Sequence, residues 1–287
     1  KVADKVVIVT GGASGIGKAL VERFHREGAK ALIVADLNGA GAEAVAKSVG
    51  GIAVQADVTK EADVIKITRT AEDRFGGIDL FCSNAGISRA DPDIDNPGSP
   101  PDAAWELAWG VNVMAHVYAA RAALPGMIER KSGWFLNTVS AAGLLSQIGS
   151  AVYSTTKHAA IGFGEHLAIA TKENGIGVSL LCPQAVDTPM LGGAAGSQNV
   201  DGVLAPSDVA AAVVAGDMGL VRPEVAQKDR GIVETGALRE ASEVETDCRV
   251  CQVGQDRGGD DKGQAAPRCE AAGHGVATEH ALCRAPV

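Results

Sequence analysis

Short apolar runs alternate with segments of helical length along the first three quarters of the chain. This alternation limits the fold more than any other feature. "KVVIVT" (5–10), "ALIVAD" (31–36), "GIAVQAD" (51–57), "IDLFCSN" (78–84), "GWFLNTVS" (133–140) and "GVSLLCP" (177–183) read as buried strands. Between them, 16–28, 40–49, 60–75, 102–130 and 151–174 read as helices. Strand and helix in strict alternation predict a parallel sheet covered on both faces, an α/β domain of the Rossmann-type doubly wound kind. These six strands, with a candidate seventh near 219–225, fill a single domain over residues 1–226.

From about Lys228 the character changes. Residues 228–287 contain no Phe, Trp or Tyr, and only nine of the sixty are Ile, Leu, Val or Met. Such a stretch buries too little apolar surface to offset its ordering entropy. An irregular or poorly ordered tail is therefore expected over 227–287. Four of the six cysteines, Cys248, Cys251, Cys269 and Cys283, fall in it, with His274 and His280. "CRVC" (248–251) has the spacing of one zinc-ligand pair, but Cys269, His274, His280 and Cys283 form no second compact pair and no strand or helix pattern frames them, so no metal is expected. Cys82 and Cys182 sit in apolar runs and read as buried small hydrophobes. His25, His116, His158 and His166 read as ordinary polar positions on helices.

A formal net charge of −9 argues against nucleic acid or an anionic membrane surface as the main partner. No run approaches the ~18 apolar residues of a membrane span, and no leader is visible at Lys1. A cytoplasmic protein is the expectation.

"TGGASGIG" (10–17) leaves the first strand and opens the first helix. In that context Gly11 allows the tight turn, Gly15 lets backbone approach a pyrophosphate, and Gly17 lets helix pack on strand. The helix N-terminus then offers free N–H groups to phosphate. Asp36 ends the second strand, where a carboxylate accepts from ribose hydroxyls and repels a 2′-phosphate. No cation stands beside it in "ADLN" or in the loop, so NAD is expected over NADP. A helix cap or turn residue is the plainer reading of Asp36. Asp57 ends the third strand, with Thr59 as a candidate helix cap, and "NAG" (84–86) follows the fourth.

"YSTTK" (153–157) places Tyr153 and Lys157 on one face of a helix. Ser140 lies at the carboxyl edge of the fifth strand, where open parallel sheets bind ligands. Asn112 falls inside the 102–130 helix, an awkward site for a poor helix former. Glycine loop, Asp36, Asp57, "NAG", Asn112, Ser140, Tyr153 and Lys157 occur in that order at spacings that resemble the classical short-chain dehydrogenase/reductase family, over roughly residues 3–226. The resemblance implies cofactor contacts from Gly11, Ser14, Gly15, Ile16, Gly17, Asp36, Leu37, Asp57, Val58, Asn84, Ala85, Gly86, Tyr153, Lys157, Pro183, Val186 and Thr188. It also implies a catalytic set of Asn112, Ser140, Tyr153 and Lys157. Tyrosine is a weak base at neutral pH, and a neighbouring ammonium and a cationic nicotinamide both favour its phenolate. Ser140 would hold the substrate oxygen, and Asn112 a water linking Lys157 to solvent.

One departure stands out: Gln184 replaces the glycine that the family usually carries after Pro183. With Leu144, Gln147 and Met190 it marks the expected substrate pocket. The segment 190–206 reads as a mobile lid. The apolar character of these loops suggests a small apolar alcohol or ketone, interconverted by hydride transfer. The competing expectation is a nucleotide-binding regulatory or assembly protein without turnover. Small apolar residues along 102–130 and 151–174 suggest a homodimer, and relatives that pair through such helices often form a homotetramer.

Overall fold

The computed structural model describes residues 1–191, 202–215 and 232–234. In chain order these hold β1 (Val6–Thr10), α1 (Gly15–Arg26), β2 (Ala31–Asp36), α2 (Gly39–Ser48), β3 (Ile52–Gln55), α3 (Glu61–Phe75), β4 (Leu80–Ser83), α4 (Asp102–Trp109), α5 (Ala115–Arg130), β5 (Gly133–Thr138), α6 (Ala151–Thr171), β6 (Ile176–Leu181), α7 (Pro206–Ala215) and β7 (Ile232–Glu234). The sheet order is β3-β2-β1-β4-β5-β6-β7. The six strands expected from sequence are all present and parallel.

The strands read as continuous apolar runs because both sheet faces are covered. Val6 and Ile8 of β1 join one core with residues of α3, α5 and α6. Val7 and Val9 point the other way, into a core shared with α1, α2 and α7. That division follows from the period of two along a strand. Chain order reverses between β1 and β4, so the segments that leave their carboxyl ends run to opposite faces of the sheet, the position of a crevice in such folds.

Three differences from the sequence expectations bear on the site. The helix over 102–130 is two α-helices joined by a π-helical turn, Gly110–Met114, with Asn112 at its centre. A widened turn of this kind relieves the misfit of Asn112 in a regular helix and turns its side chain inward. The strands also end earlier than their apolar runs. β3 stops at Gln55 and β5 at Thr138, leaving Asp57 and Ser140 on the loops beyond the edge. The seventh strand is Ile232–Glu234, antiparallel to β6. It falls within the expected tail, whose remainder lies outside the described residues, as does 219–225. No helix among the described residues is long and apolar enough to cross a membrane.

Candidate active site

The glycine-rich loop packs against the end of β4. A Cβ on Gly17 would strike the Gly11 carbonyl oxygen and come within 2.7 Å of Asn84 Nδ2. Only glycine permits α1 to start this close to the crevice. Asp36 serves this loop directly: its Oδ2 accepts from Ala13 N at 3.0 Å and its Oδ1 from Asn38 N at 2.9 Å. Asn38 in turn caps α2 by accepting from Gly41 N. Leu37 is exposed beside it. These two bonds make Asp36 a turn residue that ties the glycine-rich loop to the end of β2.

Asp57 closes a tight local turn. Its Oδ1 accepts from Thr59 N and from the Thr59 hydroxyl at 2.7 Å. The Thr59 hydrogen bond, together with Lys60, holds the carboxyl below its ordinary 3.8 despite burial. Thr59 does not cap α3; the cap position is Lys60, and Val58 is half-buried between.

Asn84 clasps three strands. Its Nδ2 donates to Thr10 O, its Oδ1 accepts from Thr138 Oγ1, and its own N–H donates to Thr10 Oγ1, all at 3.0 Å. Ala85 N donates to the same Thr10 hydroxyl. Two residues on, a methyl at Gly86 would lie 3.5 Å from both Asn112 Oδ1 and Lys157 Nζ. The "NAG" turn is therefore the floor on which the two expected catalytic side chains converge.

Lys157 is 3% exposed, and its Nζ donates to Thr138 O at 3.1 Å. Burial pushes its ammonium down to about 8. The ammonium lies 5.6 Å from the centre of the Tyr153 ring. Tyr153 is half-buried, with its phenol in hydrogen-bonding reach of Ser140. Burial raises the phenol above its ordinary 10 and outweighs the opposing pull of the Ser140 hydrogen bond. Desolvation is the larger effect on the phenol. Ser140 accepts from Ala142 N, which fixes its hydroxyl above a short 3₁₀ turn.

Asn112 is fully buried, and its side chain is heavily engaged. Oδ1 accepts from Ile87 N at 2.9 Å, while Nδ2 donates to Ile87 O and to Thr156 Oγ1. One lone pair on Oδ1 is all that the amide has left for a water.

On the far side of the crevice, Ala141 N donates to Pro183 O, tying the Ser140 loop to the end of β6. Val186 is buried and bridges to Leu204, which closes the base of the 190–206 segment. The segment's centre, 192–201, lies outside the described residues. A Cβ on Gly15 would lie 3.0 Å from Thr188, so the glycine loop meets the stretch that follows β6. Ser14 and Gln184 are exposed, Ile16 and Gln147 half-exposed, and Leu144 and Met190 project outward. The site therefore brings together Gly11, Gly17, Asn84, Ala85, Gly86, Asn112, Ser140, Tyr153 and Lys157, with Thr188 facing Gly15.

A model of the short chain dehydrogenase family matches residues 5–198. The chain belongs to the short-chain dehydrogenase family. Among relatives of this short-chain dehydrogenase is 1-deoxy-11-beta-hydroxypentalenate dehydrogenase of Streptomyces exfoliatus. It is 37% identical over 202 residues, which are 66% of this chain and 70% of that protein. The fold is similar to 3-ketoacyl-(acyl-carrier-protein) reductase from Brucella melitensis, complexed with NADH. That match has a TM-score of 0.69 and 30% identity, over 80% of this chain and 96% of the other. It is also similar to a short chain dehydrogenase/reductase from Burkholderia phymatum in complex with NAD, with TM-score 0.67 and 26% identity over 75% and 86%. As a member of the family the chain is an oxidoreductase.

Sequence reasoning missed several residues of this site. Thr10, Thr138 and Thr156 fix Asn84, Lys157 and Asn112, yet a threonine at a strand end or inside a helix carries no distinctive signal. His116 is corrected outright: it is 1% exposed rather than an ordinary polar position. Burial, and then the Lys157 ammonium, push its imidazole down to about 3, with Asn137 beside it acting the other way. Neither ring nitrogen, nor Asn137 Nδ2, completes a hydrogen bond. Cys82 and Cys182 are buried thiols, and burial pushes Cys182 up to about 11. The tail cysteines and histidines lie outside the described residues.

The burial of Lys157 gives a direct expectation. In the free protein its amine should lose its proton near pH 8, not near the ordinary 10.5. Nuclear magnetic resonance titration of labelled lysine reads this, with Lys157→Met to assign the signal. A midpoint at the ordinary value would contradict the buried geometry.

Proposed function

We propose that the chain is an NAD(H)-dependent oxidoreductase interconverting a secondary alcohol and its ketone, with Tyr153 as acid/base. One observation carries the proposal. A phenol within reach of a serine hydroxyl and 5.6 Å from a buried ammonium stands at the sheet edge that also carries the glycine-rich loop. The relatives bound to NADH and NAD and the hydroxy-compound dehydrogenase support the same reading.

The residues fit a nicotinamide dinucleotide. The close packing of Gly17 on Gly11 and Asn84 brings the α1 N-terminus to the crevice. α1 has no side-chain cap from Ser14 and no acid in its first turn, so its N–H groups are available to a pyrophosphate. The Asp36 carboxylate keeps lone pairs for ribose hydroxyls and disfavours a 2′-phosphate. Asp57, Val58, Asn84, Ala85 and Gly86 would hold the adenine and ribose side, and Pro183, Val186 and Thr188 the nicotinamide side. When bound, the cofactor accepts or returns the hydride and adds a positive charge near the phenol.

The chain's own residues handle the proton and the oxygen. Ser140 donates to the substrate oxygen as charge develops on it. Tyr153 takes the hydroxyl proton during oxidation and returns it during reduction. Lys157 keeps three donors, of which Thr138 O occupies one. Its ammonium favours the phenolate once added positive charge offsets the desolvation that holds the free phenol up. Asn112 holds the "NAG" floor and the catalytic helix together through Ile87 and Thr156.

The substrate's body is apolar in this proposal. Ile94, Leu144, Leu145, Ile148 and Met190 are all about half-exposed or more on the loops around Ser140 and Tyr153, Ile148 reaching 83%. Gln147 and Gln184 supply the polar positions there. Assembly into a homodimer or homotetramer through α5 and α6 belongs to the same proposal.

Tyr153→Phe should lower turnover of a secondary alcohol by about a thousandfold while NAD binding stays within about twofold. Stopped-flow absorbance and equilibrium dialysis read the two quantities. Wild-type turnover in the variant would refute the assignment, and no turnover of any alcohol by the unmodified protein would favour a non-catalytic nucleotide-binding role. With a carboxylate at Asp36, NAD should exceed NADP by about tenfold or more in kcat/KM. Equal use of both cofactors would contradict it.

A further inference from the structure

The helix that carries Tyr153 is not capped by its own sequence. Ser150 occupies the cap position of α6, yet its side chain makes no bond to the helix. The hydroxyl donates instead to Arg89 O at 2.7 Å. The cap comes from sixty residues away: both carboxylate oxygens of Asp91 accept from Ala151 N, at 3.0 and 2.9 Å. Asp91 N donates in turn to Gly149 O at 2.9 Å. Asp91, Ser150 and Gly149 thus fasten the β4–α4 loop to the first turn of the catalytic helix, two residues before Tyr153.

The same loop begins at the "NAG" floor. Asn84 is clasped to β1 and β5, and Ile87 is held by Asn112 through two hydrogen bonds. Residues 84–91 therefore form a strap fixed at three places. It starts where the cofactor's ribose would rest and ends on the helix that presents the phenol. A cap donated by Ser150 would stabilise α6 equally well but would leave Tyr153 unregistered against the floor. A negative charge at the helix start also favours that end of the macrodipole.

We propose that Asp91 is a positioning residue for the reaction: through Ala151 N–H it sets where Tyr153 stands relative to the cofactor and Ser140. The proposal rests on the assignment of Tyr153 above. An error of about 1 Å in such placement can cost about a hundredfold in rate.

Two measurements test it, one of them independent of turnover. The chain has two tyrosines, so in a Tyr118→Phe background the phenolate absorbance reports Tyr153 alone. Asp91→Ala should shift the Tyr153 midpoint down toward its ordinary 10, because a loosened first turn exposes the phenol. It should also lower kcat about ten- to a hundredfold with NAD binding within about twofold. Asp91→Asn keeps an oxygen acceptor for Ala151 N–H, and should recover most of both. If Asp91 only stabilised the helix, Asp91→Ala would lower the melting temperature and leave the midpoint and kcat of the folded protein at wild-type values, which would overturn the proposal. If Asp91→Ala does not fold, Ser150→Ala removes one pin alone and should move both readouts the same way by less; no movement in either would also overturn it. Absence of turnover in the wild-type protein counts against the proposed function, while the phenol titration still decides the role of Asp91.

Discussion

A charged amine sits inside this protein at 3% exposure, and the arrangement around it follows from the need to hold it there. Removing an ammonium from water is costly unless hydrogen bonds and electrostatic partners replace the lost solvent. Thr138 O supplies one such bond at the end of β5. Gly86 lies beside Nζ, where a Cβ would come to 3.5 Å, an ordinary contact distance. The π-helical turn at Gly110–Met114 brings Asn112 inward to pin the same floor. The elements that would bind a dinucleotide and those that would move a proton are therefore one packed unit.

Within that unit burial sets the order of the electrostatic effects. Desolvation alone moves Lys157 down and Tyr153 up, which favours the neutral form of each. In the proposed function a positive charge near the phenol, as a bound nicotinamide would supply, would oppose this desolvation and favour the phenolate. The neutral, buried His116 fits this picture, because a second cation beside Lys157 would add repulsion.

The sheet and its six parallel strands were legible in the sequence because each strand is buried on both faces and reads as an unbroken apolar run. Helical spacing put Tyr153 and Lys157 on one face, and the end of an apolar run put Ser140 at the sheet edge, but the grouping of these with Asn112 came from the resemblance to the family. The π-helical turn was not, since Asn112 signals only discomfort in a helix, and the relief of that discomfort depends on Ile87 and Thr156. Asp91 was invisible for a similar reason. Its partner Ala151 is sixty residues distant, and an aspartate in "RADPD" reads as a loop residue. His116 misled because helical periodicity does not distinguish a solvent face from one packed against another helix. The short β7 carries only three residues, too few to set a pattern.

The central claim is that the Ser140–Tyr153–Lys157 edge and the glycine-rich loop together move hydride between a secondary alcohol and NAD. Its most direct measurement is isotope transfer. The protein is incubated with NAD and apolar secondary alcohols carrying deuterium on the carbinol carbon, and the reduced cofactor is analysed by mass spectrometry. The account expects one deuterium per reduced nicotinamide, carried on the ring, with matching ketone. Reduced cofactor without the label, or ketone formed with no labelled cofactor, would contradict it.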